Sequence, residues 1–278
     1  MDKRPFPFDF FHIQGQCALI TGGSGAIGSA LARGLAQAGA RVVIVSRRVE
    51  ACIRIADEIR AAGGQALGIG GDVLDRGALE RVARDVRSAF GPVNILINAA
   101  GGNAPQATTG PDLSFFDLEG QMVDAVFRTN FAGVFQSCQV FGQHMVEQGQ
   151  GCIVNIASMS ALRPLTRVVA YSAAKAAVVN FTQWLAVYMA QEYSPRIRVN
   201  ALAPGFLLTA QNRFLLVDPA SGAWTPRGEA IIAHVPMRRL AMPEELVGTL
   251  LWLVSPASDY VTGTVVPVDG GFSAYCGV

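Results

Sequence analysis

The sequence has little charge, no excess of either sign, no paired cysteines, no long apolar run and no internal repeat. Each absence removes a class of function. Lys and Arg number 22 against 21 Asp and Glu, a net charge of +1, so nothing points to a nucleic acid or an anionic membrane as partner. The five cysteines (Cys17, Cys52, Cys138, Cys152, Cys276) are scattered and odd in number, with no Cys-x-x-Cys and no zinc spacing. That pattern argues against a disulfide framework or a metal site, and for reduced, mostly buried thiols in a cytoplasmic protein. His12, His144 and His234 show no metal spacing either; each reads as structural, and only His234 falls where a substrate could be met. The opening residues carry prolines and acids where a signal peptide has an uninterrupted apolar core. No run reaches the ~18 apolar residues of a spanning helix. Charged residues make up 15% of the chain, against about 25% in a typical domain. With 51% hydrophobic residues, some of the surface is expected to be covered by other subunits.

What is present is a regular alternation of short apolar strands and helices. Strands are expected at 17–21, 41–46, 66–70, 93–97, 152–157, 196–202 and 264–268. Helices are expected near 29–38, 50–62, 76–89, 121–148 and 168–192, with another opened by Pro243 and the acids after it. Such alternation implies a single-domain, Rossmann-type doubly wound parallel sheet of about seven strands with helices on both faces. Residues 1–278 read as one domain, with 1–14 as an N-terminal tail. Residues 206–242 break the rhythm and read as a substrate-capping insertion.

The first strand runs into Gly22-Gly-Ser-Gly-Ala-Ile-Gly28 and then a helix. Glycines let backbone approach a pyrophosphate, and the helix start offers it free N–H groups. Gly22, Ser24, Gly25, Ala26, Ile27 and Gly28 are therefore the first cofactor-binding candidates. After the second strand, where an NAD-specific site keeps an acid for the ribose 2′-hydroxyl, stands Ser46-Arg47-Arg48. Arg47 could pair with a 2′-phosphate, so NADP(H) is favoured and NAD(H) remains possible. Asp72, beside Val73, is either an acceptor for the adenine amino group or the cap of the next helix. Asn98-Ala99-Ala100-Gly101 puts small residues where cofactor can lie against backbone. Asn130 interrupts a long helix, where asparagine is mildly unfavourable. Either a kink frees a carbonyl to hold a water near Lys175, or the side chain makes an ordinary polar contact.

Tyr171-Ser-Ala-Ala-Lys175 places a phenol and an ammonium one helical turn apart on one face. The ammonium is expected to favour the phenolate and lower the tyrosine pKa, giving a proton donor and acceptor usable near neutrality. Ser158 ends an apolar strand, at the side of the sheet where ligands bind. Together these suit moving a proton on or off a carbonyl or carbinol oxygen. A Tyr-x-x-x-Lys taken alone reads as an ordinary helix with a surface lysine; its company along the chain overturns that reading.

Over nearly its whole length the chain resembles the short-chain dehydrogenase/reductase family. The resemblance rests on Thr21-Gly22…Gly28, Asp72, Asn98 to Gly101, Asn130, Ser158, Tyr171-x-x-x-Lys175 and Pro204-Gly205…Thr209. It implies Tyr171 as general acid/base and Lys175 lowering its pKa while holding the ribose hydroxyls. It implies Ser158 orienting the substrate oxygen, Asn130 on a proton relay, and Pro204, Gly205 and Thr209 near the nicotinamide. It also implies a homotetramer built across long helices, which the apolar 168–192 segment fits. Ala26 replaces a glycine of many members, and Ala99 replaces a second asparagine.

Longer strings, among them Ser158 to Thr166, Phe181 to Ala186 and Pro204 to Leu216, resemble a narrower group within that family, the D-mannonate oxidoreductases (D-fructuronate reductases). Members of that group often keep an acid where Ser46-Arg47 stands. A small-molecule sugar acid asks for a carboxylate partner and hydroxyl partners; Arg163 or Arg213 is the expected clamp, with Asn103 and Asn212 beside it. Gluconate 5-dehydrogenase is an alternative. So is 3-oxoacyl-carrier-protein reductase, although that would want a basic patch and no such cluster is present. A nucleotide-binding sensor or scaffold is a non-enzyme alternative; the complete set Asn130, Ser158, Tyr171, Lys175 argues for chemistry.

Overall fold

The strands of the computed structural model are β1 (Cys17–Thr21), β2 (Arg41–Ser46), β3 (Gln65–Gly70), β4 (Ile95–Asn98), β5 (Gly151–Ile156), β6 (Ile197–Pro204) and β7 (Val265–Val268). They form one parallel sheet in the order β3-β2-β1-β4-β5-β6-β7. The structure describes residues 11–209, 213–219 and 221–277. Among these, the helices are α1 (Ala26–Gln37), α2 (Val49–Ala61), α3 (Arg76–Phe90), α4 (Gly120–Phe127), α5 (Gly133–Gln148), α6 (Val169–Glu192), α7 (Arg213–Leu216), α8 (Pro226–His234) and α9 (Val247–Val254).

The inner strands are apolar on both faces because helices cover both faces. Alternate residues of β1 show the split. Ala18 and Ile20 pack with Leu31 and Leu35 of α1, Ile55 of α2 and Leu250 of α9. Cys17 and Leu19 pack with Leu79 of α3, Phe141 of α5 and Val178 of α6. Register brings Thr21, Asn98 and Asn155 level at the carboxyl ends of β1, β4 and β5. The chain winds outward from β1 to β3 and then returns to β4, so the strand order reverses between β1 and β4. A crevice opens at such a switch point.

Two expectations are corrected here. The fourth strand starts at Ile95 rather than 93, because Val93 donates its N–H to His144 Nδ1 and the Asn94 side chain accepts from Cys17 N–H. The long helix expected at 121–148 is broken by a π-helical turn, Arg128–Ala132, between α4 and α5.

The capping segment is closed at its base. Leu207 bridges Ala241, with Leu208 N–H donating to the Ala241 carbonyl at 2.9 Å and Ala241 N–H donating to the Phe206 carbonyl at 3.0 Å. Inside it, Thr225 caps α8 by accepting from Gly228 N–H at 3.2 Å. No helix among the described residues is long and apolar enough to cross a membrane.

Candidate active site

Turns after the four strands β1 to β4, and a helix that packs one face on the sheet, build the site. Gly22, after β1, has φ +67, and a Cβ there would lie 2.5 Å from Ala100 N, in the turn after β4. A Cβ on Gly28 would lie 2.5 Å from the Gly22 carbonyl. Only glycine lets α1 and both turns close this tightly. The turns leave a crevice of about 290 Å³ lined by Gly22, Ser24, Gly25, Arg47, Asp72, Val73, Ala99, Ala100 and Gly101, together with Ser46, Arg48, Gly71, Leu74 and Thr129. Backbone N–H groups, a helix start and two guanidiniums fit the phosphates and adenosine of a dinucleotide.

Arg48 reaches back across the glycine-rich turn, Nη2 donating to the Ser24 carbonyl at 3.1 Å and to Ser24 Oγ at 3.2 Å. Ser24 Oγ donates to Ser46 Oγ at 2.8 Å. Arg47 is exposed beside them. The cap of α3 is Asp75, which accepts from Ala78 N–H at 3.0 Å. Asp72 instead turns its carboxylate onto Leu74 N–H at 2.9 Å and lines the crevice.

Asn98 does not line this crevice. It is buried, and its Nδ2 donates to Asn155 Oδ1 at 2.9 Å and to Cys138 Sγ at 3.3 Å. Asn155 in turn donates to Thr182 Oγ1 at 2.9 Å. Its expected cofactor role is corrected to a structural one, joining β4, β5 and α6. Ala26 points outward and Ile27 packs toward the core, so neither side chain reaches the crevice. An exposed methyl at Ala26 explains why alanine is tolerated there. Pro204 and Gly205 line a second, neighbouring cavity. The Thr209 carbonyl accepts from Arg213 N–H at 3.0 Å, at the head of the capping segment.

On α6, Tyr171 is half-buried and Lys175 fully buried. The Tyr171 hydroxyl lies beside the Ser158 side chain, near enough for the serine to act on its ionisation. Lys175 Nζ lies 5.7 Å from the centre of the Tyr171 ring and donates to the Ile156 carbonyl at 2.7 Å. Burial lowers the Lys175 pKa to about 8. Burial raises the Tyr171 phenol above its ordinary value, and the Ser158 side chain only partly opposes it. The expected lowering by Lys175 is therefore not seen in the protein alone. Loss of water around the phenolate dominates, and the ammonium is engaged by a carbonyl.

Asn130 lies in the π-turn with its side chain fully partnered. Nδ2 donates to the Gly102 carbonyl at 2.7 Å and the Val126 carbonyl at 2.8 Å, and Oδ1 accepts from Gly102 N–H at 3.0 Å. A Cβ on Gly101 would meet Asn130 Oδ1 at 2.5 Å and Lys175 Nζ at 3.4 Å. Asn130 thus pins the loop after β4 to the end of α4.

Ser158 and Tyr171 face the second cavity, of about 640 Å³, shared with Asn103, Thr166, Phe206, Arg227, His234 and Phe272 among others. Asn103 is where the sequence places it. Arg163 and Arg213 are not on this wall. Arg163 Nε donates to the Ser273 carbonyl at 3.3 Å, tying the loop after β5 to the tail that carries Phe272, and Arg213 is exposed in α7. Asn212 lies outside the described residues. Sequence reasoning missed Arg227. The only available signal was the spacing of residues 227, 230, 231 and 234 after a Thr-Pro helix start.

Residues 16–218 match the family model described as short chain dehydrogenase. An uncharacterised oxidoreductase, UxuB, of Bacillus subtilis is 49% identical over 276 residues, covering 96% of this chain and 98% of that one. A solved structure from Haemophilus influenza, provisionally named a D-mannonate oxidoreductase and holding NAD, superposes with a TM-score of 0.89 at 41% identity, covering 96% of this chain and 98% of that one. A gluconate 5-dehydrogenase from Burkholderia cenocepacia, in complex with NADP and tartrate, superposes with a TM-score of 0.84 at 33% identity, with the same coverage of each.

Proposed function

The chain belongs to the short-chain dehydrogenase family, and from that premise we propose that it interconverts a keto sugar acid and its secondary alcohol, D-fructuronate and D-mannonate. The observation that carries this reading is the placement of Ser158 and Tyr171 together on the wall of a cavity beside the dinucleotide crevice, with Lys175 buried one turn behind the phenol. When bound, the nicotinamide supplies or accepts the hydride. Tyr171 gives its proton to the ketone oxygen in reduction and takes it back in oxidation, while Ser158 holds that oxygen in place. Lys175 keeps a positive charge behind the phenol and reaches the ribose hydroxyls, and Asn130 keeps the neighbouring loop in register. Acid–base help of this kind contributes about 10²–10⁴-fold, and alignment of the reacting atoms adds to it.

The sugar-acid substrate is supported by the names of two solved relatives and by a cavity whose ionisable lining among the described residues, apart from Tyr171, is Arg227 and His234 with no acid. NADP(H) is favoured by Arg47 and Arg48 on the adenosine side, with no acid at the end of β2. NAD(H) is the alternative, and the relative with NAD bound supports it. Self-association, as the homotetramer the resemblance implies, is supported by the low charge content and by an exposed aromatic stack on α6, where the Trp184 and Tyr188 rings lie 4.9 Å apart, and a cytoplasmic setting by the unpaired thiols. A second reading, a less polar secondary alcohol, is favoured by Met159, Leu165, Ile231 and Phe272 on the same cavity wall.

The test is nicotinamide absorbance during turnover of a panel of keto acids, neutral ketoses and apolar ketones with both cofactors. Highest kcat/KM for a keto sugar acid with NADPH is the expected result. Preference for an apolar ketone would overturn the substrate, and preference for NADH would overturn the cofactor.

A further inference from the structure

We propose that α8 is the element that selects an anionic substrate, with Arg227 binding its carboxylate and His234 taking a hydroxyl. The inference deepens the sugar-acid reading and rests on it. Arg227, Ala230, Ile231 and His234 all line the cavity that holds Ser158 and Tyr171. Their spacing of three, four and seven residues is one face of a helix, so α8 turns a single face to the reacting pair. Thr225 caps its start, and Gly228 packs so close to the Leu216 carbonyl that a Cβ would lie 2.4 Å away. That face is therefore held in place.

Arg227 sits in the first turn of α8, where a positive charge opposes the helix dipole. It has no ion pair or hydrogen bond among the described residues, whereas Arg33, Arg76 and Arg239 each meet a carboxylate. Among the described residues, no Asp or Glu lines the cavity. A guanidinium without a protein partner, in an acid-free cavity, suits a planar carboxylate that accepts two parallel hydrogen bonds. His234 Nδ1 lies 2.8 Å from the Ala230 carbonyl. Donation there places the proton on Nδ1 and leaves Nε2 of the neutral ring to accept a hydroxyl proton.

The test is calorimetric binding to the full-length protein loaded with NADPH, a state in which D-mannonate cannot turn over. D-Mannonate and its neutral counterpart D-mannitol are compared on the wild type, Arg227→Gln and Arg227→Lys. The expected result is D-mannonate binding weakened about ten- to a hundred-fold in Arg227→Gln, partly restored in Arg227→Lys, with the weaker D-mannitol binding unchanged. Equal D-mannonate affinity in Arg227→Gln and wild type, or no preference of the wild type for D-mannonate over D-mannitol, would overturn the assignment. An unchanged melting temperature keeps a folding defect from imitating the expected loss. The parent reading fails separately, if the wild type binds D-mannonate through Arg227 yet reduces no keto sugar acid.

Discussion

Lys175 is placed to hold Tyr171 without touching its hydroxyl: Nζ lies 5.7 Å from the ring centre and donates to the Ile156 carbonyl at the end of β5. The lysine therefore acts on the phenol through space, from a fully buried position. Its own charge is weakened by that burial, which brings its pKa to about 8. The tyrosine moves the other way and stays protonated beyond its ordinary range.

Those opposite shifts set the pH profile. On the proposed mechanism, reduction needs the Tyr171 phenol, which persists through neutral pH, and the Lys175 ammonium, which is lost above about 8. The kcat/KM for reduction should be level near pH 6–7 and fall as pH rises through about 8. Oxidation needs the phenolate and should rise across the same range. Tyr171→Phe should lower both directions by about 10²–10⁴-fold. Its melting temperature should hold, because the ring packs with Ala170 and Ala107. A reduction profile flat to pH 10 would remove Lys175 from the catalytic account.

Lys175 also lowers stability. Its folded pKa of about 8 lies below the ordinary 10.5, so between these values the unfolded chain binds more protons and stability rises with pH. Below about 8 the penalty is present in full. Lys175→Met removes it, so the variant's melting temperature relative to wild type should be most favourable at pH 7 and lose that advantage toward pH 10. The difference across the window is on the order of 3 kcal/mol at most. Thermal melts at the two pH values check this; a pH-independent difference would mean that the bond to Ile156 outweighs burial.

The two arginines after β2 should separate. Arg47 is exposed on the crevice, so Arg47→Ala should raise the KM for NADPH about tenfold or more and leave NADH alone. Arg48 staples Ser24 in the glycine-rich turn, so Arg48→Ala should weaken both cofactors. Steady-state KM values for both cofactors, measured side by side, decide it. Equal effects of Arg47→Ala on both would take the 2′-phosphate role from that residue.

The aromatic face of α6 should be an interface. Trp184 is 55% exposed and stacks between Phe181 and Tyr188, an arrangement that leaves a large apolar surface in water. Trp184→Glu should shift the protein to smaller species in analytical ultracentrifugation, with secondary structure retained. An unchanged mass would exclude this face.

Much of the architecture was legible because it is local. Buried parallel strands read as apolar runs, glycines mark the turn between β1 and α1, and Tyr171 and Lys175 share a helix face at any fold. The glycine turn and the shared face of Tyr171 and Lys175 follow from such spacing. Asn98 and Asp72 were less legible, since each sits where a polar side chain can turn toward ligand or toward its own backbone. Asn98 turned inward because Asn155, level with it on β5, offers a partner in a dry core. Asp72 stayed at the crevice because Asp75 already caps α3.

By itself, then, the amino-acid sequence determined the alternating layers, the glycine turn and the shared helix face of Tyr171 and Lys175, since these depend on periodicity and short-range geometry. Tertiary structure decided three other things. It directed Arg163 to the C-terminal tail and Arg227 to the cavity wall, broke the helix at Asn130, and set the two pKa values in opposition. Each depends on which distant segments meet and how much water they exclude, and neither quantity is written in the spacing of residues along the sequence.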